Sequence, residues 1–359
     1  MAGVSTVQFD ESFLSQVERV RREITERFLR AHKVLQDRER DLLAELQDLL
    51  NDFTGEGIEE EKLLEKKLGE TGRLRLNLRK SKTLDYKNMF QPVEVFGRHS
   101  TKDESSTGVF PYPGSMAIDP VTNYIYICDL GWNRVQVFNS SYDFVFSFGH
   151  KMNGPAGISI AQDKVYVTLI RSYCMNVYSM RGKLLHSVGG KGKNKLEFDR
   201  PSGINISIDK NSIYIAEFDN CRVQCLNLDL SFNSFILDIF GPKDVTLTST
   251  EVVVLCISDP CLIIYNYAHE SIRHMITKGV GKLVIGPVRL FVDESGNILI
   301  TDYDVHCLCV FSHEGELIHK IGKEGQERGE FIQPRGICIN QEGRLLVSSE
   351  NPNHAIQIF

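Results

Sequence analysis

The residues able to do chemistry are nine cysteines, ten histidines and several basic and aromatic clusters that fall between apolar runs. Cys221/Cys225 and Cys307/Cys309 are close pairs, but neither has the two-residue gap of a zinc knuckle. Cys128, Cys256 and Cys338 stand inside apolar runs, where a free thiol behaves as a small hydrophobe. The nine histidines beyond His32 scatter without metal-ligand spacing, and no set of nucleophile, base and orienting group is evident. The sequence therefore predicts no catalytic residue, no metal and no cofactor.

Binding chemistry is better represented. Basic residues gather at Lys191, Lys193 and Lys195 with Arg200, from Lys278 through Lys282 to Arg289, and at Lys323, Arg328 and Arg335. Acidic residues alternate with them at Glu217, Asp219, Asp259, Asp302, Asp304 and Glu350, offset by Arg134, Arg171 and Arg222. Trp132 and Tyr303 could stack on a base or anchor a peptide. All are expected in loops on one face, which makes Trp132, Arg134, Arg171, Lys191, Lys193, Lys195, Arg200, Arg222, Arg289, Tyr303 and Arg335 the candidate partner-binding residues. Residues 92–359 hold 24 Lys/Arg and 29 Asp/Glu, a formal charge of 24 − 29 = −5. Phosphate backbones call for a net positive face, so this balance favours a protein partner over RNA while leaving the Lys191–Arg200 patch as the place for RNA.

What must position these residues is a repeat. The segment Asn133-Arg134-Val135-Gln136-Val137-Phe138 returns as Asn220-Cys221-Arg222-Val223-Gln224-Cys225 and as Asn353-His354-Ala355-Ile356-Gln357-Ile358-Phe359, with Val305-His306-Cys307-Leu308-Cys309-Val310-Phe311 a weaker copy. Each alternates at period two, as a half-buried strand does. Glycines end apolar runs at 97, 149, 189, 241, 279 and 322, with gaps of 52, 40, 52, 38 and 43 residues. Such gaps suit four-stranded propeller blades of roughly 40–50 residues. A proline turn opens each unit at Pro113, Pro155, Pro201, Pro242, Pro287 and Pro334. The innermost strands that follow, read from Met116, Ile158, Ile204, Val245, Leu290 and Ile337, contain no histidine, aspartate or glutamate. Six units result, the last short of one strand, which Pro92–Gly97 is expected to supply, closing the ring and removing its open edge.

The Pro-x-Gly-Ile turn, Tyr126-Ile127-Cys128-Asp129, Tyr214-Ile215-Ala216-Glu217 and the Asn-x-x-Val-Gln strands resemble NHL repeats. Ahead of them, Phe13, Val17, Val20, Ile24, Phe28, Ala31, Leu35, Leu42, Leu46, Leu49 and Phe53 follow a helical apolar stripe, with Arg38 interrupting it. A helix of that kind has no core of its own and is expected to self-associate. The predicted architecture is an all-β six-bladed propeller of the NHL type preceded by a long α-helical coiled-coil segment: helix over 1–54, a short helix and basic linker over 55–91, propeller over 92–359. A coiled coil before such a propeller is similar to the C-terminal part of TRIM-NHL proteins. That resemblance implies protein or RNA binding by the propeller. The RING and B-box zinc modules that would imply ubiquitin transfer lack their ligands, since residues 1–90 hold no cysteine and only His32. Any part in ubiquitination then runs through another subunit. No apolar run spans a membrane and no signal peptide is visible, so a cytoplasmic, non-catalytic, oligomeric scaffold is expected.

Overall fold

The computed structural model describes residues 91–359 apart from 101, 103–106, 237–238, 249, 259–260, 267–270, 276–283 and 294. The expected oligomerisation helix and the basic linker lie outside the described residues. Six four-stranded antiparallel sheets are found among the described residues, and they form a six-bladed propeller. Blade 1 contains Pro113–Ile118, Ile125–Asp129, Arg134–Phe138 and Phe144–Phe148. Blades 2 to 5 begin at Pro155, Pro201, Pro242 and Pro287. Blade 6 combines Ile337–Ile339, Leu345–Ser348 and Ile356–Ile358 with Glu94–Phe96 from the start of the domain. That strand pairs antiparallel with Ile356–Ile358, Glu94 opposite Ile358, so the two ends of the domain share one sheet. The last strand of the ring would otherwise present unpaired backbone.

Burial follows position in the blade. The second and third strands are buried along most of their length, for instance all five residues of Ile125–Asp129 and of Arg134–Phe138. The outermost strand alternates with solvent and is mostly exposed at Leu184–Gly189. The apolar core is therefore divided into six clusters, each between neighbouring blades. Tyr126, Cys128, Val135, Val165 and Val167 join blades 1 and 2. Phe110, Met116, Ile127, Leu346, Ile356 and Ile358 join blades 6 and 1.

Hydroxyl side chains on second strands tie some blades to the next one. Thr168 Oγ1 accepts from the Gly157 amide at 2.8 Å and donates to the Ser202 carbonyl of blade 3 at 2.5 Å. Thr301 accepts from the Arg289 amide at 3.0 Å and donates to the Arg335 carbonyl at 2.8 Å. Ser348 accepts from the Gly336 amide at 2.7 Å and donates to the Gly114 carbonyl at 2.9 Å, fastening blade 6 to blade 1. Each bond satisfies buried backbone groups that the bulged start of an inner strand leaves out of the ladder.

Third-strand glutamines hold the longer interblade loops. Gln136, Gln224 and Gln357 donate through Nε2 to the carbonyls of Val109, Glu197 and Glu330 at 2.8, 3.0 and 2.6 Å. Phe110, Phe198 and Phe331 plug the same three loops and are fully buried. This explains why the glutamine recurs in the sequence.

Candidate functional site

The innermost strands surround a central channel, and the near face is defined here as the one on which these strands begin. The third residue counted from each opening proline is Ser115, Gly157, Gly203, Asp244, Arg289 or Gly336. Glycine has a steric reason at this position. A Cβ on Gly157 would overlap the Ser202 carbonyl oxygen, and one on Gly336 would overlap the Gly114 carbonyl oxygen. Three blades depart from glycine: blade 1 carries the small Ser115, while blades 4 and 5 place a buried aspartate and a buried arginine at the channel.

Arg289 is 7% exposed, yet its side chain reaches across the ring from blade 5. Nη2 donates to the Ala156 carbonyl of blade 2 at 2.6 Å. Nη1 donates to the Val288 carbonyl at 3.1 Å and lies 3.5 Å from Ser202 Oγ of blade 3. Its Nε is buried without a hydrogen-bond partner. Asp244, 6% exposed, accepts the Leu290 amide through Oδ2 at 2.9 Å. Burial raises its carboxyl pKa, and the Arg289 charge opposes that rise. Beside it, half-buried Lys243 is pushed down to about 8, first by desolvation and then by Arg289, Arg200 and Arg335. Beyond these charges lies a cavity of about 200 Å³ lined by apolar Met116, Ile158, Ile204 and Ile337 together with Thr246 and Cys338. Burial lifts the Cys338 thiol to about 12, which removes it as a nucleophile at neutral pH.

Arg335 stands on the same rim in blade 6. Its Nε donates to Glu350 Oε1 at 2.8 Å and its Nη2 lies 2.6 Å from the same oxygen. The guanidinium lies over Tyr303 at 4.7 Å and over Tyr112 at 5.6 Å from the ring centroids. Tyr112 is 40% exposed, so this cluster presents an aromatic surface next to the charged mouth.

The remaining predicted residues divide into two groups. Arg134 and Arg222 are not surface loop cations, as their sequence context suggested; both are 5% exposed. They open third strands and pair across the hairpin with Asp129 and Glu217. Arg134 Nε is 3.5 Å from Asp129 Oδ2, and burial lifts the Asp129 carboxyl to about 6 against the opposing Arg134 charge. Arg222 Nε donates to Glu217 Oε1 at 2.8 Å, while Nη1 and Nη2 hold the carbonyls of Lys193, Asn194 and Glu197. Trp132 is half-buried beneath the Arg134 guanidinium, 4.9 Å from it. Glu217 and Asp302 are likewise buried strand ends, Glu350 is buried two residues beyond Leu345–Ser348, and these three do not form an acidic loop surface.

The second group is exposed, in the interblade loop of residues 190–200 and in the turn after the second strand of blade 2. Lys191 lies over Tyr173 at 5.0 Å, Lys195 over Phe232 at 4.8 Å, and Arg200 over Phe218 at 5.0 Å. Arg200 is also 3.7 Å from Asp219. Lys193 and Arg171 are exposed. Arg289 was expected in an interblade loop; it stands instead on an innermost strand. The same strands were expected to lack acids, because they were read from one or more residues too late, and Asp244 belongs to one of them. Sequence reasoning also passed over Lys243 and Tyr112. For Lys243 the signal was available: a charged residue at the ring position where blades 1 to 3 carry Gly114, Ala156 and Ser202.

A larger cavity of about 570 Å³ opens on the far face between blades 4 and 5, lined in part by Thr248, Glu251, Asp293 and His313. None of the predicted site residues reaches it. Among the described residues no group of three or more His, Cys, Asp and Glu could hold a metal ion.

Comparison with known proteins agrees on the fold. A family described as a 6-bladed beta-propeller matches residues 282–354. No curated protein matches the sequence. Among solved structures, a gluconolactonase from Xanthomonas campestris superposes with a TM-score of 0.56 at 14% identity, covering 69% of this chain and 85% of that one. Virginiamycin B lyase from Staphylococcus aureus gives 0.52 at 12% identity, over 74% and 98% of the two chains. An auxiliary nutrient binding protein from Bacteroides ovatus gives 0.58 at 11%, over 74% and 76%. At such identities the likeness is one of fold, and the described residues form a six-bladed β-propeller.

Proposed function

We propose that the protein is a non-catalytic scaffold of the NHL-repeat type whose near face binds a protein partner. The observation that supports this reading is the channel mouth. There the exposed Tyr112 ring, half-buried Tyr303 and the cations Lys243, Arg289 and Arg335 stand on adjoining blades. Aromatic rings beside desolvated arginines are the composition of protein-binding hot spots. In this reading the N-terminal helix clusters several propellers and raises apparent affinity for a multivalent target, with or without a separate ubiquitin ligase in the same assembly.

Affinity capture with the full chain as bait tests this. Tyr112→Ser and Arg171→Glu on the near face should abolish recovery of a specific protein, and Val121→Ser on the far face should not. Recovery that is equal for all three variants would exclude the near face.

RNA binding is the second reading, supported by exposed Lys191, Lys193 and Lys195. Fluorescence anisotropy against a random RNA pool across a salt series tests it. A steep salt dependence lost on substitution of these lysines by Glu is the expected result if RNA is the ligand.

A further inference from the structure

We propose that the channel mouth receives a single carboxylate from an acidic segment of a protein partner, bound by Lys243 and Arg289. The inference rests on the reading of the near face as a protein-binding surface and adds to it the chemistry that the face selects.

Three observations carry it. First, Arg289 is more than nine-tenths buried and lines the channel cavity, yet its Nε has no hydrogen-bond partner. A buried charged donor left unsatisfied is costly, so an acceptor arriving there gains more than it would at a solvated arginine. Second, the cations around it are unequally paired. Arg335 is held by Glu350 and Arg200 by Asp219, while Asp244 lies in the field of Arg289. Lys243 has neither an ion pair nor a hydrogen bond among the described residues, and burial first and then the neighbouring arginines destabilise its charge, against the smaller opposing effect of Asp244. The mouth is thus left with about one uncompensated positive charge, which matches a monoanion. Third, there is room opposite. At the position of Lys243, blades 1, 2 and 3 carry Gly114, Ala156 and Ser202, and the cavity behind has a volume of about 200 Å³.

A carboxylate fits these donors better than a nucleic-acid backbone. A polyphosphate chain would bring several charges to a domain whose own formal charge is negative. A peptide brings one charge to the mouth and can rest its neighbouring residues on Tyr112 and Tyr303, which flank Arg335. The aromatic contacts also explain why a segment, and not a free small acid, is the expected ligand: one partly hydrated ion contact alone gives little affinity.

The test is fluorescence anisotropy on the full chain with three labelled probes: a Ser/Gly dodecapeptide with one central Glu, the same peptide with Gln for Glu, and a twelve-nucleotide oligouridine. The Glu peptide should bind about tenfold or more tightly than the Gln peptide, the scale of a charge-assisted contact. Lys243→Met should lower its affinity by about tenfold, and Lys183→Met, an exposed lysine in a far-face turn, by less than about twofold. Arg289→Lys keeps the charge without the fork and should weaken binding with an unchanged near-ultraviolet circular dichroism spectrum. Equal binding of the Glu and Gln peptides, indifference to Lys243→Met, or preference for oligouridine would each overturn the proposal. A partner captured through Tyr112 that is retained by Lys243→Met would overturn it while leaving the protein-binding reading intact.

Discussion

Arg289 in blade 5 and Ala156 in blade 2 are bonded across the axis of the ring, Nη2 to carbonyl oxygen at 2.6 Å. These blades stand on opposite sides of a six-membered ring, so one side chain braces the channel. The brace also supplies the positive field in which buried Asp244 remains tolerable. Removing it should leave that carboxylate with two backbone hydrogen bonds and the weaker field of Lys243, and breaking a buried charge relationship costs more than the relationship contributes. Arg289→Ala is expected to cost about 2–3 kcal/mol in chemical denaturation. Adding Asp244→Asn should restore about 1 kcal/mol or more of it, a coupling that a double-mutant cycle resolves.

Lys243 gives a prediction of pH dependence. Its folded pKa of about 8 lies below the ordinary 10.5, because burial and neighbouring arginines disfavour the ammonium. Between these two values the unfolded chain binds more protons than the folded one, so stability rises with pH there. The stabilising contribution is fully present above about 10.5 and is lost as pH falls through about 8. Lys243→Met should therefore be more stable than the parent at pH 7 by about 1–3 kcal/mol, and the difference should shrink toward pH 10.5. Denaturation midpoints of both proteins across this range give the difference curve. A constant difference would mean that the ammonium is solvated.

The sequence could be read where a residue's role depends on neighbours in the chain, and it misled where the partner was distant. Alternation and proline turns located the blades because strand burial and turn geometry are local. The third-strand arginines were misread as loop charges. The correct signal was the fixed distance of five residues from Asp129 to Arg134 and from Glu217 to Arg222, which a tight hairpin turns into a cross-strand pair. Asp244 and Arg289 were legible as charged residues at a position that other blades fill with glycine or serine. That Arg289 reaches Ala156 was not legible, since the two are 133 residues apart and meet only when the ring closes.

Closure itself depends on glycine in a testable way. Gly336 packs against the Gly114 carbonyl so closely that a Cβ would overlap it, and Ser348 bonds both residues in the same place. Gly336→Ala must push blades 6 and 1 apart and is expected to cost about 2–3 kcal/mol. At Gly114 an added Cβ would meet its nearest atom, the Cys128 carbonyl oxygen, at 3.4 Å, and Gly114→Ala should lie within about 0.5 kcal/mol of the parent. Thermal unfolding of the two variants separates a steric role at the blade junction from a general preference for glycine in turns.

Arg222 tests how the basic loop of residues 190–200 is held. Glu217 is the hub: besides Arg222, it accepts from Gln224 Nε2 at 2.9 Å, from Asn220 Nδ2 at 2.5 Å and from the Asp199 amide at 3.2 Å. From that anchored position the Arg222 fork serves three loop carbonyls, those of Lys193, Asn194 and Glu197. Its other face lies 4.0 Å from the Phe235 ring centroid. Lysine has three donors on one nitrogen and cannot reproduce this spread of contacts. Arg222→Lys should therefore release the loop almost as fully as Arg222→Ala. In hydrogen exchange, amides of residues 192–198 are expected to exchange about 10–100 times faster in both variants, while strand amides of blades 5 and 6 keep their protection. If Arg222→Lys instead protects the loop as the parent does, charge alone holds it, and the planar fork has no special part.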